Sequence, residues 1–151
     1  MALIKLGANG LAAGVGGKVL QVVTGTTSSS TATSAGSFVS TSLTANITPS
    51  ATSSKIVALV CGGEADTGAN GRNMHSTIFR GSTNLGNSTA GMVTAYGASS
   101  RVQGNSSVGI VDSPSSTSEL TYTCYIKSGG GSVTLNANSC LTSLILMEVS
   151  G

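Results

Sequence analysis

Lys55-Ile56-Val57-Ala58-Leu59-Val60-Cys61 (KIVALVC) is the stretch on which the fold turns. Successive side chains of a strand point to opposite faces. Ile56, Ala58 and Val60 therefore share one face, while Val57, Leu59 and Cys61 share the other. The segment Leu144–Val149 repeats the pattern, with Leu144 and Leu146 opposing Ile145, Met147 and Val149. Strands apolar on both faces are buried on both, and parallel sheets achieve this with covering helices. This chain has no helix-period run with start and stop signals. In a two-sheet sandwich the second face must then be covered by another subunit or a long loop. Leu59 and Leu146 are both expected to be buried.

Working outward, Lys18–Thr24 (KVLQVVT) reads as a first strand and residues 25–36 (GTTSSSTATSAG) as a low-complexity loop. Phe38–Thr48 alternates loosely until Pro49, which has no N–H to donate to a ladder. Arg72–Arg80, strands near 90–96 and 106–112, Leu120–Lys127, Val133–Ala137 and Leu144–Val149 complete the set. Short strands separated by Gly- and Ser-rich turns predict a sandwich or barrel. The expected fold is all-β, an antiparallel β-sandwich of jelly-roll type over residues 18–151. Residues 1–17 differ: Leu3, Ile4, Leu6 and Leu11 stand among Gly7, Gly10, Gly14, Gly16 and Gly17. So much glycine opposes regular structure, yet the apolar residues require burial. They are read as a flexible, partner-binding arm.

Composition narrows the function. Of the 151 residues, 8% are charged and 39% hydrophobic, with a formal net charge of +2. A free domain carries roughly a quarter charged residues, and interspersed charge keeps it soluble. Sparse charge points to a surface covered by neighbouring subunits. The seven basic residues are scattered singly, and there is no tryptophan. Neither a phosphate-binding stripe nor a stacking platform is present, so no nucleic acid is expected. No membrane span and no signal segment is read, since Gly breaks every apolar run near the start. Three cysteines, Cys61, Cys124 and Cys140, lack paired spacing, and Cys61 and Cys124 are read as buried thiols.

Catalytic and metal motifs fail on inspection. Gly14-Val15-Gly16-Gly17-Lys18 lacks the phosphate-loop pattern, with Ala12 and Val19 at required positions. His75 is the only histidine, and a zinc site needs several converging ligands. No catalytic residue, cofactor or metal is assigned. The loop Gly62–Arg72 gathers Glu64, Asp66, Asn70 and Arg72 and is read as a solvent-facing turn. With Asn84 and Asn87 in the following turn, it is the candidate receptor-facing surface, because loops carry contacts on rigid scaffolds.

Five stretches carry a resemblance: GKVLQVV (17–23), ITPSATSSKIVAL (47–59), IFRGSTNLG (78–86), DSP (112–114) with TYTC (121–124), and LMEV (146–149). Through them the chain resembles small virion structural proteins and fibre-terminal β-sandwich domains of tailed bacteriophages, of the marine and cyanobacterial type. The resemblance implies a trimeric knob displayed on a virion, with no catalytic motif to carry over, and the lack of a signal segment leads us to expect assembly in the host cytoplasm. The expected function is a non-enzymatic capsid-decorating protein, of cement or head-fibre kind, attached through its N-terminal arm. Its expected partners are copies of itself and a capsid shell or fibre adaptor. The alternative is a receptor-binding adhesin at a fibre tip, meeting a host surface receptor.

Overall fold

A computed structural model describes residues 17–151. Leu3, Ile4, Leu6 and Leu11, and all of the expected arm except Gly17, lie outside the described residues. The regular elements are all strands: β1 (Val19–Thr27), β2 (Thr31–Thr33), β3 (Val39–Ile47), β4 (Lys55–Gly62), β5 (Glu64–Asp66), β6 (Arg72–Arg80) and β7 (Thr83–Asn84). Then follow β8 (Val93–Gly97), β9 (Gln103–Asn105), β10 (Val108–Asp112), β11 (Leu120–Ser128), β12 (Val133–Leu135) and β13 (Thr142–Val149). The protein is all-β with antiparallel sheets, as a sandwich requires.

The first sheet has the order β1-β13-β4-β10, and the second has β3-β11-β6 with β7 and β8 both paired to β6. A small third sheet has the order β2-β12-β5-β9. It repeats the order of the first because each of its strands adjoins the matching strand in sequence. β2 follows β1, β12 precedes β13, β5 follows β4, and β9 precedes β10. The third sheet is thus the first one continued past a corner. At that corner the chain passes through Gly62 and Gly63, with φ of 79° and 80°. Only glycine takes up that left-handed backbone without steric cost.

Treating each such pair as one strand leaves a ribbon doubled on itself. Its outermost strands pair as β1·β13, then β3·β11, then β4·β10, and β6·β8 closes the tip. Wound up, the ribbon places alternate pairs in opposite sheets. Ile56, Ala58, Val60, Leu144 and Leu146 of the first sheet pack on the inward residues of the second, including Leu43, Ile47, Ile78, Tyr122 and Ile126. One side is closed by Gln21 Nε2 donating to the Thr48 carbonyl at 2.7 Å. The other is closed by an Arg80–Asp112 ion pair at 2.6 Å and a Ser76–Ser106 hydroxyl contact at 3.0 Å.

The structure corrects four expectations. Residues 25–36 are not all loop, since β1 runs on to Thr27 and β2 lies within them. The 62–72 segment is not a plain turn, because β5 occupies Glu64–Asp66 and is buried. Leu59 is only half-buried: it faces away from the second sheet, where Gly109 of the edge strand β10 leaves room for it. Cys61 is exposed, on the same outward side near the strand end, whereas Cys124 is buried.

Candidate interaction face

The outward side of the first sheet is built by register. Val22 stands opposite Met147, Met147 opposite Val57, and Val57 opposite Val111, so one apolar row crosses all four strands. The next row is Thr24, Ile145, Leu59 and Gly109. Val22 and Val111, at the two ends of the first row, are 57% and 61% exposed. Val19 and Leu20 extend the exposed apolar surface beyond Val22 at the start of β1. Lys55, at the rim, is the one charged side chain on this face among the described residues, and its Nζ donates to Ser113 Oγ at 2.9 Å. The largest contiguous apolar patch on a soluble protein is often a functional surface.

The outward side of the second sheet differs. Phe79 stacks on Tyr125 with ring centroids 4.0 Å apart, and Phe38 meets Phe79 edge-on at 6.0 Å. The Lys127 ammonium sits 4.9 Å above the Phe38 ring. His75, beside Lys127 in register, shares a hydrogen bond with Thr94 Oγ1 at 2.7 Å. Burial first, and the Lys127 charge second, hold the His75 pKa below its ordinary value. Phe38, Phe79 and Tyr125 cover one another on this face, while Tyr96 at its β8 edge is exposed.

The proposed loop residues divide. Glu64 and Asp66 are buried and fully engaged. Arg101 grips Asp66 with both ends of its guanidinium, at 2.8 and 2.5 Å, and that bond is the main reason the Asp66 pKa is lowered. Glu64 accepts from the Asn138 backbone N–H at 3.0 Å and its side-chain amide at 2.9 Å. Arg72 donates to the Ser132 carbonyl at 3.0 Å and does not reach the acids. Asn84 accepts from Thr77 Oγ1 at 2.8 Å and the Gly86 N–H at 2.9 Å, which holds the turn in place. It also donates to the Asn87 carbonyl at 3.3 Å, the one contact that joins two of the predicted residues. Asn70 and Asn87 remain exposed.

Sequence reasoning missed Glu148. It is 1% exposed on the inward face of β13, among Leu144 and Leu146. Its Oε1 accepts from Ser50 N at 2.7 Å, Ser50 Oγ at 2.6 Å and Ser54 Oγ at 2.7 Å, and its Oε2 from Gln21 Nε2 at 2.7 Å. Those bonds, Ser50's first, bring its pKa down to about 2. The alternation of LILMEV already places Glu148 on the face of Leu144 and Leu146, a signal legible in the sequence. Its role is to clamp β13 to β1 and to the turn before β4. Burial pushes the Cys124 thiol up to about 12, so it is inert as a nucleophile at neutral pH. Among the described residues no three His, Cys, Asp or Glu side chains gather as metal ligands would.

No protein-family model matches the sequence, and no curated protein matches it. Two solved structures are similar in part. A mutant VP2 protein of infectious bursal disease virus, from T=1 particles, has 17% identity and a TM-score of 0.41 over 85% of this chain. The T13 particle of the same virus has 17% identity and a TM-score of 0.37 over 86% of this chain. This chain spans 37% and 36% of the length of those two.

Proposed function

We propose that this protein is a non-enzymatic structural subunit of a virion, of the tailed-phage kind its sequence resembles. It associates with copies of itself, as a trimer, and decorates a capsid shell. The observation that carries this reading is the nearly chargeless outward face of the β1-β13-β4-β10 sheet, on which Val22 and Val111 stand exposed among the described residues. Removing a surface of that composition from water is favourable, so it is suited to association with an apolar partner. The doubled-ribbon pairing supports a jelly-roll winding, an architecture used for viral capsid and lectin domains. The exposed Asn70 and Asn87 favour a second reading, in which the loops of the same virion protein touch a host receptor.

Antibody labelling of purified particles tests the location. Many labels spread over the shell are expected. Labels confined to fibre or tail tips support the adhesin reading instead, and unlabelled particles overturn both.

A further inference from the structure

We propose that residues 1–16 of one copy lie across the outward face of the first sheet of a neighbouring copy. Leu3, Ile4, Leu6 and Leu11 then cover the row Val22, Met147, Val57 and Val111. The inference rests on the self-association proposed above and names the surfaces that perform it.

Three observations converge on this occupant. The first is chemical match. Residues 1–16 contain one charged side chain, Lys5, among small and apolar residues, and the face carries only Lys55 at its rim. Burial of such a segment desolvates almost no charge and leaves no carboxylate unpaired. The second is area. Strands about 4.8 Å apart, three of them about 26 Å long and β10 about 16 Å, present roughly 450 Å². A standard interface needs about 800 Å² per partner. Two bare sheet faces meeting each other fall short, while an added arm with four large apolar side chains makes up the deficit.

The third is where the chain leaves. Beyond β1 the strand pairing continues through the Ser150 N–H donating to the Lys18 carbonyl at 2.9 Å. Gly17, one residue earlier, lies so close to Val149 that a Cβ there would overlap its side chain. Val149 belongs to the outward side of β13. The arm therefore departs from the side of the molecule that bears the open face. Sixteen residues extended reach about 50 Å, roughly twice the length of that face. Donor and acceptor surfaces lie side by side, so each copy gives an arm and receives one. A head-to-tail contact of that kind closes into a ring when its rotation permits, as a trimer requires.

Isotope-filtered NMR on a mixture of methyl-labelled and unlabelled full-length protein reads the contact directly. Intermolecular signals are expected between the leucine methyls of one copy and Val57 and Met147 of another. In a second arm, the full chain carrying Leu3→Ser, Ile4→Ser, Leu6→Ser and Leu11→Ser is expected to keep its β-sheet circular dichroism and fall to single-chain mass. Signals arising only within one copy overturn the exchange. A substituted chain that remains oligomeric overturns the arm's seat while leaving self-association intact. A wild-type chain that is monomeric throughout overturns the self-association reading itself.

Discussion

Leu146 and Met147 are consecutive residues of β13, and the first sheet places them in opposite circumstances. Leu146 is sealed between the two sheets with Ile56, Ala58 and Leu144. Met147 faces outward in a row that ends on both sides in exposed valines. The same division separates Val60 from Leu59 in β4. Both faces have the apolar composition of a core, but the second sheet lies on only one of them. The inward face folds the subunit, and the outward face is free to join it to another. Stability and association are thus written into alternate residues of the same strands, and substitutions on each side should separate the two.

The largest effect is expected inside. Leu146→Ala should cost about 2–5 kcal/mol, from lost transfer energy and the cavity left in a close-packed layer. Urea unfolding of the dissociated chain measures it, and a loss below about 0.5 kcal/mol would place Leu146 outside the core.

Next comes Glu148→Gln, which keeps the shape but sets an amide against groups that donate to a carboxylate. About 1–3 kcal/mol should be lost, the range for hydrogen bonds to a buried charged acceptor. The pH dependence has a definite sign. The folded pKa is lowered from 4.5 to about 2, so the stabilisation is complete above about 4.5 and disappears as pH falls towards 2. Thermal unfolding from pH 5 to pH 2 should therefore decline less steeply in the Gln variant than in the wild type. Equal slopes would show that the clamp does not act through its charge.

The smallest effect on folding is expected outside. Leu59→Ala should cost the dissociated chain about 1 kcal/mol, less than Leu146→Ala, because the side chain is only partly buried and its removal leaves no closed cavity between the sheets. Its effect should appear in the association constant instead. A loss equal to that of Leu146→Ala would erase the distinction between the two faces.

Much of this was legible before folding. β11 announces itself by clean alternation, and β4 and β13 by runs that are apolar on both faces. The three-residue strands β2, β5 and β9 do not, since TAT, EAD and QGN carry no apolar period. They are strands because the first sheet continues past its corner and supplies their partners, which is a tertiary cause. The same corner buries Glu64 and Asp66, so acids in a Gly-rich stretch looked solvent-facing when Arg101 and Asn138, distant in sequence, had already claimed them. The two-sided apolar pattern of KIVALVC was legible, but which side met the second sheet was not. Period-two alternation identifies two faces without ranking them, and the ranking comes from how the ribbon winds.

An outward face that serves as an interface makes the protein an oligomer in solution, and its mass there decides the matter. Light scattering at micromolar concentration should give a stable oligomer of three 14.7 kDa chains. Met147→Asp, which puts a charge in the middle of the apolar row, should reduce it to one chain that remains folded. A wild-type protein of single-chain mass, soluble with Val22 and Val111 open to water, would contradict the claim.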